Sequence, residues 1–290
     1  MTTPTEELKA LVLKRVLTDQ LDLPAMPVVA VKALTLLRST NGSLGAVAAI
    51  LENDPLVSAR VLRLSNSAAY ASRESAISVS QAVSRLGMRT LETILIEVSA
   101  SGVFASKNKE INAACQHLWE HSLATGMLAR DLCTLVFGQA GQEFGQTAFL
   151  SGLLHDIGKP VLASVLLETE RKLASTNAAP WMPMESWLDL IDGAHRTVGL
   201  LVAAKWDMPA LVRRGMTDLG EYDPAEPHSM RNFVRLANSL VKKAGIYAGN
   251  VSSEDLDAAI ATGCQVLSLD LKKVQTLVEG LSDRVKQRIS

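Results

Sequence analysis

The sequence predicts an all-α protein, a two-lobed helical bundle, and three observations carry that expectation. Apolar residues recur at helical spacing, as on Val28, Val31, Leu34 and Leu37. Prolines and capping residues stand where those stretches begin. No run alternates apolar and polar residues for long enough to make a strand. At 290 residues the chain can bury one large core or two smaller ones. Aromatics are only 4%, so that core must be built from Leu, Val, Ala, Ile and Met.

In chain order, residues 5–21 read as a first helix that ends at "DLPAMP". Pro27 fits the first turn of the next, which "STNG" (39–42) stops. Ser43 can cap a third. Asp54-Pro55 is a strong start signal, a capping carboxylate followed by a residue that needs no N–H donor. That helix carries Val57, Val61, Leu62 and Leu64 and runs out near "SNSAAYASRES". The stretch can be an asparagine-assisted stop or a partner-binding surface. Ser78 or Ser80 can cap a short helix to Gly87, and another runs from Met88 to about Phe104.

The polar "SKNKEIN" (106–112) breaks the pattern and suggests a boundary, giving an N-terminal helical lobe at 1–108. A second lobe, 109–245, would hold helices at 113–137, 144–156, 159–167, 183–190, 192–206, 208–215 and 228–245. Residues 246–290 remain as C-terminal helices, at 253–262 and 269–288. Ser252 with Asp255 has the spacing of a capping box. Trp187 and Trp206 read as core or interlobe packing.

Formal net charge is −1, so general attraction to nucleic acid or to an anionic membrane is not expected. Cys115, Cys133 and Cys264 are widely spaced, which suggests reduced thiols and a cytoplasmic protein. The amino terminus lacks the apolar core of a signal peptide, and no membrane span is expected. The cations of "VKKAG" and of the tail are interspersed with acids and read as solvated helix faces.

Chemistry is concentrated in the histidines. His121 lies in the helical row His117, His121, Ala124, Leu128. His155 follows Ala148, Ser151 and Gly152, a face small enough for another helix to approach closely. Asp156 is next to it, about 100° round a helix. His195 shares a face with Val198, Gly199 and Val202. Buried imidazoles and carboxylates cost several kcal/mol unless partnered. They must therefore meet one another, water or a metal, for which nitrogen and oxygen donors suit a divalent transition ion. A hydrogen-bonded core cluster without chemistry satisfies the same spacing.

"LHDIGK" (154–159) resembles the signature of the HD-superfamily metal phosphohydrolases. Over residues 18–215 the chain is similar to the HDOD family, signalling relatives of the HD and HD-GYP enzymes. "LPAMPVVAVKALTLL", "LENDPLVSARVLRLSNSAAYA" and "AISVSQAVSRLGMRTLETIL" resemble its first half. "LWEHSLATGMLARDL", "AFLSGLLHDIGKPVL" and "HRTVGLLVAAKWDMP" resemble its HD-like half, in the right order.

By that resemblance, His121, His155 and Asp156 match the first three ligands of an HD enzyme. Asn238 stands where the enzymes carry a final aspartate, and a neutral amide oxygen holds a dication less firmly. His195 matches the first further histidine of the HD-GYP enzymes. Their later His-His pair is absent, since the sequence reads "RRGMTDLGEYD" there. A two-metal hydrolase needs both ions.

The resemblance therefore implies a non-catalytic bacterial signalling protein that works through contacts with other signalling proteins, in two-component, cyclic-dinucleotide, motility or stress pathways. No cofactor is expected beyond a weakly held divalent metal at His121, His155, Asp156, Asn238 and His195. The alternative is a metal-dependent phosphohydrolase of nucleotides or cyclic dinucleotides using His155, Asp156 and Lys159. Lys159 reads equally as a phosphate contact or as a solvated lysine at a helix start. A third reading is a metal-free module whose HD-like cleft binds a nucleotide.

Overall fold

A computed structural model describes residues 14–15, 18, 21–40, 42–67, 70, 74–106, 109–174, 184–217, 220–247, 249 and 251–289. The side chains of 109–110, 139, 170–174 and 184–189 lie outside that description. So does most of the helix expected at 5–21, and so does the side chain of Trp187. Every regular element among the described residues is helical. The chain divides into two compact units. One holds Val103–Val278 with the described residues up to Pro24; the other holds Ala25–Gly102 and residues from Glu279 on.

The smaller unit contains α1 (Val28–Arg38), α2 (Leu44–Leu51), α3 (Pro55–Ser65), almost all of α4 (Val79–Val103) and the final helix, α13 (Leu281–Ile289). Its starts follow the expected chemistry. The Ser43 hydroxyl accepts from the Ala46 N–H at 3.2 Å, and Asp54 accepts from the N–H groups of Leu56 and Val57 at 3.0 and 3.1 Å. Ser78, not Ser80, caps α4. Gly87, at φ +71°, kinks α4 where the sequence suggested two helices. Asn66 binds Ala76 through both amide atoms, at 2.9 and 2.8 Å, so the asparagine closes the loop after α3. Ala30, Leu34, Val47, Leu51, Val61, Leu91 and Ile94 form the core.

One ion pair is sealed within this unit. Arg288 on α13 donates from Nε to Glu97 Oε1 at 3.0 Å and from Nη2 to Oε2 at 2.6 Å. Both side chains are buried. The fork geometry satisfies both carboxylate oxygens, which is what makes burial of the charges tolerable.

In the larger unit come α5 (Lys109–Phe137), a short 3₁₀ turn, α6 (Gln142–Leu154), α7 (Gly158–Ala174), α8 (Met184–Lys205), α9 (Ala210–Gly215), α10 (Met230–Lys243), α11 (Ser253–Val266) and α12 (Leu271–Val278). Long α5 is the hub; α6, α7, α10 and α12 all pack on it. α10 turns Phe233, Val234, Leu236, Ala237, Leu240 and Val241 inward. Full burial of such side chains contributes roughly 1.5–3 kcal/mol each. Trp206 is buried and donates its indole N–H to the Pro24 carbonyl at 2.9 Å.

Two boundaries differ from the sequence reading. Residues 183–190 and 192–206 belong to one helix, α8, because Gly193 stays within it. The stretch 269–288 is two helices, since Gly280 takes φ +66° and leaves α12 before α13 starts. The span Gln142–Thr169 is apolar and long enough to cross a membrane, but 89% of its most apolar window is buried inside the fold. Its composition is that of core helices α6 and α7.

Removing one member of the Glu97–Arg288 pair strands a buried charge. Arg288→Met is expected to cost about 3–5 kcal/mol in urea denaturation. The double variant Glu97→Leu/Arg288→Met should cost less than either single change.

Candidate metal centre

Close helix approach builds this centre. At the α5–α6 crossing, a methyl group on Gly152 would stand 2.8 Å from Gly126 Cα, so only glycine permits the contact. That brings His121, on α5, beside His155, just beyond α6; their ring centres are 5.4 Å apart. His155, Asp156 and Ile157 form a turn rather than the end of a helix, as Ile157 N–H bonds to Leu154 O and Lys159 N–H to Asp156 O. Gly158 then starts α7 directly against the His195 carbonyl of α8, where a Cβ would collide.

Asp156 is the focus. Its Oδ2 lies 2.8 Å from Lys159 Nζ, 3.4 Å from His155 Nε2 and 3.9 Å from His121 Nε2. Oδ1 lies 3.4 Å from His195 Nε2. All three imidazoles and the carboxylate are buried. Each histidine uses Nδ1 on a backbone carbonyl: His121 on Ile246 at 2.8 Å, His155 on Gly152 at 2.7 Å, His195 on Asp192 at 2.9 Å and Ile191 at 3.0 Å. A carbonyl can only accept, so Nδ1 carries the hydrogen in all three. On His121 and His155, which burial keeps neutral, the Nε2 lone pair therefore faces Asp156, and none of the three Nε2 atoms has a hydrogen-bond partner.

The HDOD domain family matches residues 23–219, about two thirds of the chain. The chain belongs to the HDOD family. An uncharacterized protein of Treponema pallidum (strain Nichols) is 28% identical over 190 residues; the match covers 65% of this HDOD chain but only 36% of that relative. Solved structures share the fold. A Shewanella amazonensis SB2B protein, provisionally named a metal-dependent phosphohydrolase, superposes with TM-score 0.71 at 23% identity over 97% of this chain and 99% of its own. An HDOD domain protein of unknown function from Geobacter sulfurreducens gives 0.61 at 19% identity over 98% and 97%. A Marinobacter aquaeolei VT8 protein, provisionally named a signal transduction protein, gives 0.65 at 21% identity over 98% and 64%.

In this HDOD chain the residues present fit a divalent cation. His121, His155 and Asp156 offer donor atoms that all lie within 4.8 Å of one another. The lone pairs of His121 and His155 directed at a carboxylate form an electron-rich point that a cation stabilises and a neutral ligand does not. Backbone carbonyls hold the donor rings in the required tautomer. His195 sits on the other carboxylate oxygen, outside that tight group. Asn238, on α10, keeps a buried Oδ1 with no hydrogen bond. Lys159 is neither solvated nor directed away from the centre: it is ion-paired with Asp156, its side chain 11% exposed.

Sequence reasoning did not single out Ile246, Tyr247 or Arg196, and it read Lys242 of "VKKAG" as part of a solvated face, whereas Lys242 is half-buried with its Nζ 4.6 Å from the centre of the Tyr247 ring. Ile246 supplies the carbonyl that orients His121, and the Tyr247 ring lies 5.3 Å from the His121 ring. The one available signal was Gly245, which takes φ +78° and turns the chain back after α10.

Burial dominates the electrostatics. It pushes the His155 imidazole down to about 3 and lowers His121 as well, with Asp156 only partly opposing. Burial would raise the Asp156 carboxyl, but His155 and Lys159 hold it well below the usual carboxylate range. Because His155 is neutral near pH 7, Lys159 is the lasting positive partner. Desolvation acts to lower Lys159, yet Asp156 outweighs it and its ammonium is stabilised. Lys242 is lowered by burial and by Lys159.

Acid sensitivity follows. Below about pH 6.5 unfolded histidines take up protons that native His121 and His155 refuse, so the unfolded state binds more protons and stability falls with pH. Asp156 acts in the same direction below about pH 4. Urea denaturation of metal-stripped protein should show stability dropping from pH 7 to 5, by at most about 1.4 kcal/mol per pH unit for each histidine. His155→Gln should flatten that slope.

Proposed function

We propose that the chain is a regulatory signalling protein of the cytoplasm that acts through protein–protein contacts, and that its His/Asp centre stabilises the larger unit instead of hydrolysing phosphate. The observation that carries this reading is the Lys159–Asp156 pair, at 2.8 Å. The centre's one carboxylate, Asp156, is already neutralised by an ammonium, and at the position where HD enzymes place their final aspartate this chain has Asn238. Two dications and a phosphate need several anionic ligands to be held and charge-balanced. Here three imidazoles surround one compensated carboxylate.

Other features support a contact role. The smaller unit exposes Val28, Val31, Leu56 and Ile77, apolar side chains of the kind that partner surfaces cover. The Marinobacter aquaeolei relative in fold carries a signalling name. Cys115, Cys133 and Cys264 are free and buried, which suits a reducing compartment.

A second reading is favoured by the unpartnered Nε2 atoms of His121, His155 and His195. They are suited to hold one divalent cation, which when bound supplies charge neutralisation and, in an enzyme, water activation. In that case His121, His155 and Asp156 bind the ion, His195 and Asn238 flank it, and Lys159 is free to meet a phosphate oxygen.

One experiment separates the two. Metal content and hydrolysis of a phosphodiester panel are measured on protein purified without added metal and again after loading with manganese. The regulatory reading expects no more than one ion per chain and no turnover in either state. Turnover that disappears in His155→Ala overturns it. Asn238→Asp should tighten manganese binding by roughly tenfold, about 1.4 kcal/mol, if Asn238 joins the donor set.

A further inference from the structure

We propose that the smaller unit carries a docking seat for a helix, that α13 fills this seat as a releasable self-ligand, and that a partner protein's helix with the same three anchors displaces it. The partner rests on the regulatory reading; the release of α13 does not.

Connectivity sets α13 apart. The smaller unit is otherwise the continuous stretch Ala25–Gly102, and α13 joins it only after the chain has passed through the larger unit. Val278 ends α12 in the larger unit and Leu281 begins α13 in the smaller one, so Glu279 and Gly280 alone connect them. Both are exposed. Gly280 takes φ +66°, and a Cβ there would meet nothing within 4 Å. The joint is therefore open to solvent and contains the residue type with the freest backbone. At nine residues α13 is below the length at which a helix holds its form alone in water, so it is helical because it is docked.

Three side chains are turned inward. Leu281, Val285 and Arg288 stand at i, i+4 and i+7 and are buried, whereas Ser282, Asp283, Lys286 and Gln287 are exposed. That is the anchor spacing of a helix laid in the groove of another protein. The receiving side is specific. Glu97 on α4 is 3% exposed and, among the described residues, its carboxylate is hydrogen-bonded by Arg288 alone. The Arg288 guanidinium carbon also lies 5.6 Å from the centre of the Tyr70 ring, in the loop after α3. The stretch 25–102 thus buries an acid whose ion-pair partner arrives from 191 positions away. A seat that buries two apolar residues and holds a carboxylate selects a helix offering an arginine at the third anchor, and rejects one that leaves the acid unpaired.

A two-residue joint keeps the effective concentration of α13 at its seat high. A partner helix binds only the fraction of molecules in which α13 is released, so its apparent affinity is set by that fraction. Whatever loosens α13 opens the contact surface.

Hydrogen exchange of the full chain, read by mass spectrometry, reports release. Amides of 284–289 are expected to exchange at least tenfold faster than those of 91–96 in the core of α4, and Arg288→Met should speed them at least tenfold more. The double variant Leu281→Asp/Val285→Asp then vacates the seat. The probe is a labelled synthetic peptide of residues 279–290, followed by fluorescence anisotropy. Saturable binding to the double variant is expected, at least tenfold weaker to the unsubstituted chain. It should also weaken at least tenfold when the peptide carries Arg288→Met or the double variant adds Glu97→Gln. Circular-dichroism melts establish that each variant folds, and Arg288→Met serves as the receptor if the double variant does not. Exchange of 284–289 no faster than that of α4, no binding to a folded receptor, or equal binding of the Arg288→Met peptide overturns the proposal. A concentration-dependent dimer of the unsubstituted chain that the peptide dissolves would place a second copy's α13 in the seat, and overturns the assignment to a foreign partner. Turnover decides the regulatory reading and none of these readouts involves it, so the two failures are distinct.

Discussion

The buried carboxylate of Asp156 is the constraint on which the larger unit turns. Three imidazoles and one ammonium converge on its two oxygens. An isolated carboxylate there would cost several kcal/mol or would protonate. Lys159 prevents that and fixes the start of α7 with respect to the preceding turn. The pair is only half of a solution, however. It satisfies the charge of Asp156 and leaves the Nε2 atoms of three histidines without a hydrogen-bond partner. Stability and a set of unpartnered donor atoms therefore coincide at one point.

The orientation of those donors is enforced by backbone rather than by side chains. The carbonyls of Gly152, Asp192 and Ile246 hold the three rings, and they come from α6, α8 and the turn after α10. Glycines then set the spacing. Gly126 with Gly152 lets α5 and α6 touch, and Gly158 lets the start of α7 touch α8. A side chain at any of these positions would separate the donors by more than a hydrogen bond tolerates. The His/Asp centre is in this sense a product of helix packing.

Much of this was legible in the sequence. The caps at Ser43, Asp54 and Ser252 and the breaks at Gly87 follow from local backbone chemistry, and local chemistry is what a sequence displays most directly. His121, His155, Asp156 and His195 were recognisable because their spacing on helical faces coincides with a family motif, and the structure brings them together. What could not be read was whatever depended on contacts distant in sequence. Ile246 reaches His121 across 125 positions and Arg288 reaches Glu97 across 191, with no periodicity to announce either. Lys159 could be solvated or inward from its position alone; only the fold decides. The merging of two expected helices into α8 has the same origin, since packing overrode a weak glycine signal.

The two buried ion pairs, one in each unit, argue about function by their difference. Glu97 and Arg288 meet as a closed fork, with both carboxylate oxygens bonded to the guanidinium. Nothing is left over, and a pair of that kind serves structure. Asp156 and Lys159 meet through a single oxygen, beside imidazole Nε2 atoms that have no hydrogen-bond partner. The fork leaves no carboxylate oxygen of Glu97 unbonded, whereas at Asp156 three imidazole nitrogens stay without a hydrogen-bond partner, so the second centre keeps donor atoms that the first does not.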